Sequence, residues 1–170
     1  MKVIRYRWEW LGAVLGAMLG DMLLAVRGKA DLSYDILADD QVVTHVATKW
    51  LRGGTFILAD GAYAISDDGW GTALTVTDPS GTQLATASDP SRRAWTVTTG
   101  SQTYAFDRRS RWRQHMDLVA GGQAIGYIRR PNLNAEATAD LPTMPLTMQV
   151  FALALALLVW DSGPLLARPR

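Results

Sequence analysis

The chain has 170 residues, of which 48% are hydrophobic and 19% charged, and it carries a net charge of +1. This length suits one domain with a substantial core, and the composition excludes a disordered chain. Cysteine is absent, which excludes disulfides, thiolate nucleophiles and cysteine-based metal sites and leaves the cellular compartment open.

The small net charge conceals two segments of opposite sign. Residues 31–89 carry nine Asp against one Lys and one Arg, a net charge of −7. Residues 92–130 carry eight Arg against two Asp, a net charge of +6. The basic segment predicts an anionic partner. An equal alternative is that these arginines only make the loops soluble.

Residues 1–30 form the first predicted unit. Its apolar stretch, residues 10–26, has glycines at four-residue spacing, which predicts a helix that packs closely against another surface. Two alternatives stay open: a membrane anchor, for which the stretch is short and interrupted by Asp21, and a cleaved signal peptide. The preceding "KVIRYRW" has strand character and is a candidate for a further strand.

Residues 33–139 predict antiparallel β structure, because short stretches rich in Val, Ile, Thr, Tyr and Trp alternate with turn signals. Four hairpins are predicted, with turns at Asp60-Gly61, at "DPSG" from Asp78, at Gly100-Ser101 and at Gly121-Gly122. Adding "SYDILA", "QVVTHVATKW" and "NAEATA" gives about eleven strands. So many strands predict a closed barrel, because closure removes exposed sheet edges.

The Arg-rich stretch "DRRSRWRQH", residues 107–115, is the strongest candidate for a binding site. Clustered guanidinium groups suit phosphate, whose oxygens accept paired hydrogen bonds from arginine. Few aromatic residues are interleaved for base stacking, so an anionic lipid headgroup is favoured and nucleic acid is disfavoured. The candidate ligand-binding residues are Arg92, Arg93, Arg108, Arg109, Arg111, Arg113, Arg129 and Arg130.

The last apolar segment, residues 144–160, predicts a helix with Thr143 as its N-cap. Its uninterrupted apolar run, Val150 to Trp160, has eleven residues, a length more typical of buried core than of a membrane span. Leu and Ala are spread around all sides of this helix instead of forming one stripe. The helix must therefore be surrounded, and a barrel of about twelve strands has room for it.

Two hairpins and the last helix carry a family resemblance. The hairpins are "LTVTDPSGTQLATAS" and "MDLVAGGQAIGYIRR", and the last element is "DLPTMPLTMQVFALALALLVW". Together they resemble the tubby C-terminal-like superfamily, which includes tubby proteins, plant LURP-one-related proteins and phospholipid scramblases. The resemblance covers roughly residues 31–160 and implies about twelve strands around a hydrophobic C-terminal helix, with lipid binding at family level. The cysteine cluster by which scramblases are palmitoylated is absent.

This interpretation divides the chain into an N-terminal strand and apolar helix at 1–30, a tubby-like β-barrel at 31–160 and a tail at 161–170. Neither His45 nor His115 has metal-ligand spacing, and the sequence contains no nucleophile elbow. We therefore expect no catalytic residues, no metal and no cofactor. An enzyme with an unrecognised pocket is a third hypothesis.

The sequence thus predicts a non-enzymatic barrel that is cytoplasmic or peripheral at the inner face of a membrane. There it would bind anionic phospholipid, or another phosphate-bearing ligand, through its Arg-rich face. The alternative is an integral membrane protein with helices at 10–26 and 144–160 flanking a β domain. The sequence indicates neither the identity of the ligand nor an oligomeric state.

Overall fold

Twelve antiparallel strands close into a barrel in the computed structural model, which describes residues 22–28, 32–49, 53–69, 72–109, 113–132 and 136–162. The strands are β1 (Leu23–Arg27), β2 (Ser33–Ala38), β3 (Gln41–Lys49), β4 (Gly53–Leu58), β5 (Gly61–Asp67), β6 (Ala73–Thr77), β7 (Gln83–Ser88), β8 (Ala94–Thr99), β9 (Thr103–Arg108), β10 (Gln114–Ala120), β11 (Gln123–Arg130) and β12 (Ala137–Asp140). Each strand pairs with its neighbours along the chain, and β1 also pairs with β12. The predicted closed barrel is confirmed.

Three of the four turns form where the sequence predicts them, and the β4–β5 turn lies one residue earlier than predicted, at Ala59-Asp60, because Gly61 pairs with Leu58. All four predicted hairpins are present as β4–β5, β6–β7, β8–β9 and β10–β11. Gly81 has a φ of 86°, and Gly121 and Gly122 have φ values of 57° and 77°. Side chains other than glycine rarely adopt these angles, which explains why glycine marks the turns.

The N-terminal strand corrects one sequence prediction. The apolar helix predicted over residues 10–26 is wrong where it overlaps β1, since Leu23–Arg27 form a strand between β2 and β12. Residues 10–21, and the strand predicted from "KVIRYRW", lie outside the described residues. Leu23 and Ala25 face the core and are fully buried, so the apolar character that suggests a helix belongs partly to a barrel strand. The barrel therefore begins at Leu23 and not at residue 31.

The helix α1 (Leu146–Asp161) is buried on all its sides. Thirteen of its sixteen residues are buried, and they form one core cluster with the inward-facing side chains of the strands. The N-cap is Pro145, without a side-chain hydrogen bond, so the prediction of Thr143 is wrong. Gln149, the buried polar residue of the first turns, donates from Nε2 to the carbonyl of Met144 at 2.8 Å.

The prediction that residues 144–160 are core is therefore confirmed. In the part of the chain that the structure describes, no helix combines the length and the apolar composition required of a membrane span.

Polar contacts fix the last residue of α1 to the barrel wall. Arg130 Nη1 donates to Asp161 Oδ1 at 2.9 Å, and Arg27 Nη2 approaches the same oxygen at 3.2 Å. Tyr34 donates its hydroxyl to the other carboxylate oxygen. Burial, and then the hydrogen bond to Asp161, raise the pKa of Tyr34, which keeps the hydroxyl protonated. The end of the helix is thus joined to β1, β2 and β11.

Replacing Asp161 with Asn is expected to destabilise the fold by about 3–5 kcal/mol, because Arg130 would remain buried without a countercharge. The free energy of unfolding in urea measures this effect. Asp107→Asn is the matched control: it removes a partner of Arg93 from an exposed ion pair and should cost less than about 1 kcal/mol. Equal losses for the two variants would contradict a buried, structural ion pair at the helix end.

Candidate functional site

The two ends of the barrel differ in charge. Antiparallel order places successive connections alternately at one end and the other, and α1 ends at the end that holds the connections after the odd-numbered strands. All described arginines lie at this end, which we call the basic end: Arg27, Arg92, Arg93, Arg108, Arg109, Arg113, Arg129 and Arg130. They outnumber the acidic residues there, which are Asp67, Asp68, Asp89, Asp107, Glu136 and Asp161. Two further carboxylates lie in strand interiors, Asp35 in β2 and Asp117 in β10, and Asp117 pairs with Arg109.

The opposite end, which we call the acidic end, carries only negative charge among the described residues. Its acidic residues are Asp39, Asp40, Asp60 and Asp78, whereas Asp140, the last residue of β12, lies on the outer wall of the barrel. The barrel therefore has a charge polarity along its axis. Such a field orients a protein that approaches a charged surface, in addition to attracting it.

The predicted ligand-binding arginines at the basic end differ in their contacts. Arg92 and Arg93 are 72% and 81% exposed, and their Nε atoms lie 3.5 and 3.4 Å from carboxylate oxygens of Asp89 and Asp107. Arg108 is half-buried, and its Nη2 donates to the carbonyl of Pro90 at 3.3 Å. All three belong to the β7–β8 connection or to the end of β9, whose backbones are hydrogen-bonded there.

Three further predicted residues are Arg111, Arg113 and Arg129. Arg113 is exposed and directly precedes β10, and Arg129 lies near the end of β11 with its guanidinium 4.8 Å from the ring centroid of Tyr127. Arg111 lies outside the described residues. Strand β10 begins at Gln114, directly after Arg113.

Arg130 does not belong to the exposed surface, and its assignment to the ligand-binding face needs correction. Its side chain is 2% exposed and faces inward, where Nε donates to Gln114 Oε1 at 2.6 Å and Nη1 binds Asp161. Arg129 and Arg130 are neighbours on one strand, and successive side chains point to opposite faces. Because side chains alternate along β11, Arg129 is exposed and Arg130 is a buried structural residue.

Arg109 lines an open cleft of about 290 Å³ on the outer wall beside the basic end. The lining includes Arg109, His115, Asp117, Gly126, Tyr127 and Asp140 from β10, β11, β12 and the β9–β10 connection. The register of β10 and β11 shifts between Leu118 and Val119, which leaves Ile125 as an extra residue on β11. Bulges of this kind redirect side chains and often lie beside binding sites.

Asp117 connects the polar side chains of the cleft. One carboxylate oxygen accepts a hydrogen bond from Arg109 Nε, and the other lies 2.8 Å from His115 Nε2. Burial acts to raise the pKa of Asp117, but the hydrogen bonds from His115 and Arg109 and the charge of Arg109 outweigh it and lower this pKa. The carboxylate is therefore ionised at neutral pH. Among the described residues, no three acidic or His side chains form a metal-binding group.

Sequence reasoning missed the role of Asp117. It identified the Arg cluster and found for His115 only that it lacks metal-ligand spacing. The signal lay in the spacing of His115 and Asp117, because residues two apart on a strand share one face. Arg109 directly follows β9 and contacts Asp117 of the neighbouring strand β10, a tertiary contact that no local pattern indicates.

The chain matches no protein-family model, no curated protein and no solved structure at a significant level of similarity.

Gly126→Ala is expected to destabilise the protein by about 1–3 kcal/mol, the usual cost of overpacking. An added Cβ would lie 2.4 Å from the carbonyl oxygen of Asp140, a backbone atom that cannot retreat without disturbing β12. Urea unfolding measures the change. Gly100→Ala serves as the control, because a Cβ there meets nothing within 4 Å, and a comparable loss in that variant would contradict the steric explanation.

Asp117 is expected to make the fold sensitive to acid. Because its folded-state pKa is lowered, it contributes stability that is present above the ordinary value of 3.8 and is lost as the pH falls through the lower folded value. Asp117→Asn should therefore flatten the acid limb of a plot of unfolding free energy against pH. An unchanged acid limb would show that Asp117 has no such role.

Proposed function

We propose that the protein is a tubby-like barrel that associates peripherally with anionic membrane lipid through its basic end. The charge polarity of the barrel carries this proposal. The closed antiparallel barrel with its helix inside supports the family assignment, since this is the architecture that the resemblance implies. Anionic lipids concentrate in the cytoplasmic leaflet, so the proposed location is the inner face of a membrane.

The exposed arginines suit a phosphate-bearing surface. Arg92, Arg93, Arg113 and Arg129 lie on three successive connections or strand ends of the basic end. Exposed ion pairs such as those of Arg92 and Arg93 contribute little stability, so their guanidinium groups can exchange a carboxylate for a lipid phosphate at small cost. The acidic end is repelled by the same surface, which favours one orientation.

The alternative, an integral membrane protein anchored through residues 10–26, predicts a different orientation. Residues 23–27 are a barrel strand, and β1 begins at the acidic end. A preceding anchor would therefore join the barrel at the end with negative charge. Membranes washed with salt and then with alkaline carbonate separate the two functions: salt releases a protein held by charge, whereas an anchored protein resists both washes.

Replacing Arg92, Arg93, Arg113 and Arg129 together with Gln is expected to weaken binding to anionic vesicles by about two orders of magnitude or more. Each basic residue near an anionic surface contributes about 1 kcal/mol. Co-sedimentation with vesicles of phosphatidylcholine and phosphatidylglycerol measures the apparent affinity, and binding should fall steeply with added salt.

The control variant is Asp39→Asn with Asp40→Asn, which alters charge at the acidic end. It should bind the vesicles almost as tightly as the wild type, because that end faces away from the surface. Wild-type affinity in the Arg variant would reject the basic end as the membrane-binding surface. If vesicle affinity rose in the Asp variant as much as it fell in the Arg variant, net charge alone would attract the protein, and the basic end would not be oriented toward the membrane.

A further inference from the structure

Arg109 is anchored through one edge of its guanidinium group and leaves the other edge unused. Its Nε donates to Asp117, while Nη1 and Nη2 have no hydrogen-bond partner among the described residues. The edge between Nη1 and Nη2 presents two parallel N–H groups, which match two oxygens of one phosphate. The side chain is 67% exposed and lines the outer cleft, so this edge is accessible.

The Asp117 carboxylate, which holds Arg109, is itself fixed in position. Asp117 is buried in the middle of β10, where its backbone pairs with Asp107 on one side and Tyr127 on the other. Its two oxygens bind different partners, Arg109 and His115, so the carboxylate cannot rotate without breaking one contact. The carboxylates beside Arg92 and Arg93 are more exposed and lie farther from the guanidinium nitrogens.

We propose that Arg109 forms a discrete phosphate subsite in the outer cleft and that Asp117 is its positioning residue. This deepens and rests on the proposed function, since it names one group at the basic end that binds a single phosphate monoester. The phosphate belongs either to a lipid headgroup or to a soluble molecule. Binding costs less when the arginine is already ordered, because long side chains lose rotamer entropy on complex formation.

Asp140 makes it possible to distinguish positioning of Arg109 by Asp117 from a general effect of negative charge in the cleft. It lines the same cleft, and within the described residues its carboxylate binds neither Arg109 nor His115. By Coulomb attraction alone, removing either carboxylate strengthens the binding of an anion. If Asp117 positions Arg109, its removal weakens binding although the cleft becomes more positive.

The decisive experiment compares Asp117→Asn with Asp140→Asn in co-sedimentation with phosphatidylcholine vesicles that contain phosphatidic acid. We expect Asp117→Asn to bind about two- to tenfold more weakly than the wild type, the factor that corresponds to ordering one long side chain. Asp140→Asn should bind equally or more tightly. Arg109→Lys keeps the charge but loses the paired donors, so it should resemble Asp117→Asn.

The inference is overturned if Asp117→Asn binds as tightly as Asp140→Asn, or if Arg109→Lys keeps wild-type affinity. In either case, vesicle binding by the other arginines leaves the proposed function intact. Near-ultraviolet circular dichroism checks the fold of each variant. If Asp117→Asn is unfolded, the vesicle affinity of Arg109→Lys alone tests the inference, because a substitution at the exposed Arg109 does not disturb the core.

A soluble probe separates the two sources of phosphate. Glycerol 3-phosphate is titrated into the full chain while NMR follows the Arg109 Nε–H signal. A shift in the wild type that is lost in Asp117→Asn supports the subsite even when vesicles do not bind, and then assigns it to a soluble phosphate monoester. No shift in the wild type, together with no selectivity for phosphatidic acid, overturns the inference.

Discussion

The apolar character of α1 on every side is the constraint on which the rest of the fold depends. A helix with one apolar stripe can lie on a sheet, but this helix exposes hydrophobic surface in all directions unless it is enclosed. Enclosure requires a wall that continues around the helix, and twelve strands provide it without leaving an unpaired edge. The small residues Ala152, Ala154 and Ala156 keep the helix slender enough for this wall.

Enclosure creates a second requirement at the end of the helix, where the core meets water. The helix ends on Asp161, whose carboxylate receives hydrogen bonds from Arg27, Tyr34 and Arg130 on three strands. These contacts fix the axial position of the helix, which apolar packing alone specifies poorly because one hydrophobic contact can replace another. The same contacts remove Arg130 from the set of arginines that an external ligand reaches.

Much of this fold was predictable because local chemistry specifies it. The turn glycines and the strand patterns predicted four hairpins, and the uniform distribution of Leu and Ala over residues 144–160 predicted an enclosed helix. The β1 strand was missed because Leu23 and Ala25 lie within a longer apolar stretch that also suits a helix. The network around Asp117 was missed because it joins side chains from a strand and a connection, whose proximity depends on the tertiary fold.

The charge polarity follows from where the basic residues fall in an alternating chain. In an antiparallel barrel, a residue at the end of an odd-numbered strand and a residue in the next connection reach the same end. The described arginines of the Arg-rich segment lie only there. The β8–β9 and β10–β11 connections, at the opposite end, contain glycine, serine and glutamine instead. The core does not demand this arrangement, because exposed charges contribute little to stability. The concentration of arginine at one end therefore points to what that end contacts, and the ionised, buried Asp117 beside it indicates that at least one of these arginines is held in place.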